Sequence, residues 1–97
     1  MNVRNLLRHV QVFSKATCPY CIQALRLLES EFPGVDMNVI NLSTHKDANQ
    51  IQSILGSMTG ARTVPRVFVM GKSVGGCDDT VAAVRSGQLR KMLATHL

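Results

Sequence analysis

The stretch Val10-Gln11-Val12-Phe13-Ser14-Lys15-Ala16-Thr17-Cys18-Pro19-Tyr20-Cys21-Ile22 decides the fold. Val10-Gln11-Val12-Phe13 alternates and is rich in β-branched residues, so it reads as a strand. After Cys18-Pro19-Tyr20-Cys21 the period changes, and Ile22, Leu25, Leu28 and Phe32 recur at helical spacing. Pro19 suits the first helical turn, where its missing N–H is no loss. Pro33-Gly34 stops the helix. A strand therefore runs into a helix whose first turn carries two cysteines.

Downstream, Val35-Asp36-Met37-Asn38-Val39-Ile40-Asn41-Leu42 reads as a second strand with Val35, Met37 and Val39 on one face, although Ile40 and Leu42 break the alternation. Ser43 or Thr44 is suited to cap the next helix, whose apolar residues Ile51, Ile54, Leu55 and Met58 follow the helical period and which Thr59-Gly60 closes. Val64 to Met70, a turn at Gly71-Lys72, and Ser73-Val74 read as a hairpin. Gly75-Gly76 breaks its second strand, and Asp78-Asp79-Thr80 starts a helix with acids in the first turn. Gly87 separates it from a last helical piece carrying Leu89, Met92 and Leu93. Upstream, Met1 to His9 reads as a short helix of the mature fold. It lacks a long apolar core and a small-residue cleavage site, so the cytoplasm is the expected location. The early strand-helix-strand unit calls for a parallel pair, and the late hairpin adds antiparallel strands. The expectation is an α/β fold with a mixed sheet of about four strands flanked by helices on both faces, the architecture of the thioredoxin fold.

The chain has 97 residues, enough for one domain spanning 1–97 and too few for two independent cores. At 45% hydrophobic and 18% charged it is neither a disordered tail nor a fibrous chain. Its apolar runs fall far short of the ~20 residues a membrane helix needs. The net charge of +5 comes from scattered Lys and Arg, with only Phe13, Tyr20, Phe32 and Phe68 as aromatics. A nucleic-acid binder would show a denser basic stripe with aromatics between, so a small anionic ligand fits the charge better.

Three cysteines leave one over in any disulfide framework, which points to a reducing compartment and to chemistry. Cys18 at a helix start and Cys21 one turn later share a face, within reach of a disulfide. Unpaired N–H groups at the helix start point at Cys18 and favour its thiolate, with Lys15 as a nearby cation. Cys21 lies deeper, which suits a resolving thiol. A metal site would need further ligands, and His9, His45 and His96 are isolated at positions read as surface. A buried structural pair is the plainer alternative.

Thr17-Cys18-Pro19-Tyr20-Cys21, preceded by Phe13-Ser14-Lys15, resembles the active-site segment of dithiol glutaredoxins. The likeness continues through Thr59-Gly60-Ala61-Arg62-Thr63-Val64-Pro65-Arg66-Val67-Phe68 and Gly75-Gly76-Cys77-Asp78-Asp79. Thioredoxins carry Trp-Cys-Gly-Pro-Cys instead, and this chain has no Trp. The resemblance implies glutathione, or a related low-molecular-weight thiol, as co-substrate, and glutathionylated or disulfide-containing proteins as partners. It implies no metal, nucleic-acid or membrane partner, and a monomer. Pro65 matches the family's cis-proline, which leaves the backbone of Val64 free to pair with the tripeptide as an added strand; a trans proline in an edge turn is the alternative. Thr63 belongs to the same block. Lys15 and Gln52 match positions holding the glycine carboxylate end, with Arg62 assisting. Tyr20 matches the aromatic beside the nucleophile. Gly76, Cys77 and Asp78 offer a close backbone and helix-start N–H groups to the γ-glutamyl carboxylate. Asp79 matches the acid that takes the glutamyl ammonium, with helix capping as its alternative role. Asp78 departs from the Ser or Thr of many relatives and brings negative charge beside an anion. Cys77 reads as a buried filler or a redox-sensitive third thiol.

On this reading Cys18 attacks the glutathionyl sulfur of a mixed disulfide, and glutathione or Cys21 then releases it. Two rivals remain open. One is an iron–sulfur carrier bridged through two chains, against which the stiff Pro19 argues; the other is a module that senses glutathione state.

Overall fold

The computed structural model describes residues 9–94. The helix expected over the first residues, and His96, lie outside them. Within them the order is β1 (Val10–Ser14), α1 (Pro19–Glu31), β2 (Met37–Asn41), α2 (Ala48–Thr59), β3 (Arg66–Val69), β4 (Lys72–Gly75), α3 (Cys77–Arg85) and α4 (Gln88–Leu93). The strands form one sheet in the order β2-β1-β3-β4. β1 pairs parallel with β2, Val12 opposite Val39, and antiparallel with β3, Val12 opposite Val67. β3 and β4 are antiparallel with an irregularity at Val67/Phe68. This is the expected mixed four-stranded sheet with helices packed against it.

Alternation along β1 and β3 sends Val10, Val12, Val67 and Val69 to one face, where they meet Leu28 and Phe32 from the α1 end, Ala83 of α3, and Leu89 and Leu93 of α4. Arg90 sets its guanidinium 5.2 Å from the Phe32 ring centre, closing the end of that core. The other face of the sheet carries Phe13 and Phe68, whose rings meet edge to face 5.9 Å apart. No helix among the described residues is long and apolar enough to cross a membrane.

Several local expectations are corrected. In α1 the buried stripe is Cys21, Ala24 and Leu28, while Ile22 is exposed. The small residues let the helix approach the sheet, and following the large residues turns the stripe one position too far. β2 begins at Met37 and leaves Val39 43% exposed, because it is an edge strand that the core helices do not cover. In α2 only Leu55 is buried; Ile54 and Met58 face solvent. Neither Ser43 nor Thr44 caps α2, which starts after Asp47 without a side-chain cap. The hairpin turn is Met70-Gly71, both at positive φ, rather than Gly71-Lys72, as a two-residue turn between twisted strands requires. α3 starts at Cys77, one residue earlier than expected, with Asp78 and Asp79 in its first turn. His9 is half-buried rather than on the surface, and its carbonyl accepts the Met70 N–H.

Candidate active site

β1 ends and α1 begins across a short turn in which the Cys18 N–H donates to the Lys15 carbonyl at 3.3 Å. Ser43, after β2, accepts the Ala16 N–H on its hydroxyl at 2.9 Å and so ties the turn to the neighbouring loop. Cys18 is the N-cap of α1 and Pro19 the first helical residue. The Cys21 N–H donates to the Cys18 sulfur at 3.2 Å. A helix-start donor in this position favours negative charge on the sulfur. Cys18 is half-buried; Cys21 is closed off from solvent.

Cys21 takes its proton more tightly than an ordinary thiol. Burial raises its pKa above 9.0 first, the hydrogen bond with Cys18 adds to this, and the Lys15 backbone and Ser14 hydroxyl partly oppose it. A low-exposure, proton-holding thiol one turn from an accessible one fits an attacking and a resolving cysteine. All three cysteines are free thiols.

Opposite the pair, the Val64–Pro65 bond is cis. It brings the Val64 carbonyl to face Cys18, whose thiol donates to it at 3.8 Å. From this point a cleft of about 220 Å³ opens, walled by Tyr20, Val64, Pro65, Arg66, Gly76, Cys77, Asp78 and Asp79. Residues of all three sequence blocks thus meet at one cleft beside the first cysteine. Tyr20 stands 63% exposed at its edge. Gly76 caps α3 with extended backbone and donates its N–H to Asp79 Oδ2 at 3.1 Å. Asp79 therefore fills the capping role, with that one oxygen engaged. Cys77 is buried, and burial, then the charges of Asp78 and Cys18, raise its pKa above 9.0.

Over residues 10–74 the chain matches the glutaredoxin family model. The chain belongs to the glutaredoxin family. It is 46% identical over 84 residues to a glutaredoxin of Ricinus communis, covering 87% of this chain and 80% of that one. Oxidized glutaredoxin 2 of Chlamydomonas reinhardtii superposes with a TM-score of 0.83 at 41% identity, covering 93% of this chain and 83% of that one. A buckwheat glutaredoxin–glutathione complex superposes at 0.84 and 37% identity, covering 96% and 84%. The activity is that of the family, thiol–disulfide oxidoreduction, and the sheet with its helices is the thioredoxin fold.

In this glutaredoxin the remaining residues singled out in the sequence stand apart from the cleft wall. Gln52 on α2 donates from its side chain to the Arg62 carbonyl at 3.1 Å. The Arg62 side chain lies against Gly56, where a Cβ would sit 2.8 Å from Arg62 Cγ, so the bare glycine makes room for it. Arg62 and Thr63 are exposed and Lys15 is half-buried. Sequence reasoning missed Arg66, which it took as an ordinary strand residue and which the structure puts into the cleft wall. Among the described residues no cluster of three His, Cys, Asp or Glu side chains could hold a metal ion.

Proposed function

We propose that this chain reduces mixed disulfides between proteins and glutathione, with Cys18 as nucleophile and Cys21 as resolving thiol. The Cys18 thiolate attacks the glutathionyl sulfur. The new bond joins Cys18 to glutathione, and the sulfur–sulfur bond to the substrate protein breaks, so that protein leaves as a thiolate and takes up a proton. A second glutathione thiolate then attacks the Cys18-bound glutathione, releasing glutathione disulfide and restoring the Cys18 thiolate. In the dithiol branch Cys21 attacks Cys18 instead, expelling glutathione and leaving the intramolecular disulfide. The same pair reduces protein disulfides.

The observation that carries this reading is the Cys18 sulfur at the start of α1, 3.8 Å from the Val64 carbonyl at the mouth of the cleft. A tripeptide laid along Val64 as an added strand puts its own sulfur beside Cys18. In this arrangement Gly76, Cys77, Asp78 and Asp79 take the γ-glutamyl end, Lys15, Gln52, Arg62 and Thr63 the glycine end, and Tyr20 flanks the ligand. The other half of the disulfide projects to solvent, which gives selectivity for the glutathionyl part. Three free thiols suit a reducing compartment, so the cytoplasm is the proposed setting and a monomer the proposed working form.

The test measures turnover of a peptide–glutathione mixed disulfide with glutathione as reductant. Cys18→Ser is expected to fall to background, and Cys21→Ser to stay within about twofold of wild type while losing reduction of protein disulfides. Equal losses in both variants would refute the division of labour.

A further inference from the structure

We propose that Arg66 adds a side-chain cation for the α-carboxylate at the γ-glutamyl end of the thiol, and so sets how strongly this chain prefers a thiol that carries that carboxylate. The proposal rests on reading the cleft as the glutathione site. Arg66 opens β3 directly after Pro65, on the side of the strand opposite the core residue Val67. Its Nε donates to the Pro65 carbonyl at 3.0 Å, folding the side chain back along the cleft. The guanidinium ends at Gly76, where a Cβ would lie 2.6 Å from Nη2. The absence of a side chain at Gly76 is what leaves space for this cation.

The rest of the guanidinium is uncommitted. Five N–H donors are present on an arginine, and only the Nε donor has a partner among the described residues. Asp78 and Asp79 share the same wall, yet neither forms an ion pair with it among the described residues. Beside it begins α3, whose first N–H groups have no intrahelical acceptor. The cleft thus offers one cation and backbone donors on one side, and two carboxylates, one of them partly engaged in capping, on the other. A zwitterionic head group complements this pattern: its carboxylate meets Arg66 and the helix start, and its ammonium meets the acids. A γ-linked glutamyl group presents such a head group, whereas an α-linked one would have lost its carboxylate to the peptide bond. Arg66 also offsets the negative charge that Asp78 brings beside the ligand.

The experiment compares two peptide mixed disulfides, one with glutathione and one with 4-aminobutanoyl-cysteinylglycine, which lacks only the α-carboxylate. Wild type is expected to favour the glutathionyl substrate by about tenfold or more in kcat/KM. Arg66→Gln should lose about tenfold on the glutathionyl substrate, mainly through KM, and stay unchanged on the analogue. Arg66→Lys, which keeps the charge without the fork, should recover part of the preference. The proposal is overturned if Arg66→Gln keeps the wild-type preference, or if it loses equally on both substrates, as a mere prop for the Pro65 turn would. If the wild type itself handles the two substrates alike, the glutathione reading of this end of the cleft fails and the proposal with it.

Discussion

Cys21 and Cys77 are both buried thiols whose pKa burial lifts above 9.0, with the Cys18 hydrogen bond second for Cys21 and the Asp78 charge second for Cys77. The folded protein therefore still holds protons that the unfolded chain has released once pH passes their ordinary value. Between that value and the raised one the native state binds more protons, so stability falls as pH rises; below pH ~9 the contribution is fully present. Urea midpoints from pH 8 to pH 10.5 should drop more steeply in wild type than in a Cys21→Ala/Cys77→Ala double variant. Parallel curves would mean that the thiols do not carry this dependence. The difference in depth between Cys18 and Cys21 was legible in the sequence, because i and i+3 from a helix start differ in distance from the end. The placement of Arg66 was not. Alternation tells which face a residue leaves, but not where a long side chain ends, and the bend toward Gly76 depends on a hydrogen bond to Pro65.

At the scale of elements, the cleft is a junction of three termini: the start of α1, the start of β3 and the start of α3. The β4–α3 corner fixes the third. Gly75 holds φ at +121° there, and the Asp79 carboxylate occupies the place where a Cβ would stand. Gly75→Ala combines a left-handed backbone with a clash against the group that caps α3. It is expected to cost about 1–3 kcal/mol in urea unfolding. It should also raise KM for the mixed disulfide, since Asp79 must move. A variant as stable as wild type would show that the corner relaxes freely. The paired glycines announced this corner in the sequence, as Thr59-Gly60 announced the end of α2. Ser43 misled for a physical reason. A hydroxyl after a strand can cap a helix or bind a neighbouring loop, and the choice depends on Ala16, far away in sequence. The edge position of β2, which exposes Val39, likewise depends on sheet order rather than on its own residues.

For the molecule as a whole, order and topology followed from periods and breakers, because the parallel pair requires α1 as its crossover and the hairpin fixes β3 beside β4. Which apolar residues form the single main core did not follow, since helices on either side of the sheet carry similar stripes. Leu28 decides how α1 sits on that core: it is fully buried among Val10, Val12, Phe32 and the α4 leucines. Leu28→Ala leaves a cavity that close-packed neighbours fill only partly, with a cost of about 2–5 kcal/mol. Against the roughly 5–15 kcal/mol that hold a domain of this kind together, that is a large share. At about 4–8 °C per kcal/mol, the melting midpoint should fall by tens of degrees at the upper end, with the urea slope m unchanged. The site should nonetheless work wherever the variant is folded. Cys18 is placed by the β1–α1 turn, the Ser43 tie and the Val64 carbonyl, all at the other end of the helix. At 15 °C and with folding verified by circular dichroism, kcat/KM on the mixed disulfide is expected within about twofold of wild type. A folded variant with a tenfold loss would mean that the core and the cysteine turn move together, and that the scaffold tunes Cys18 through α1.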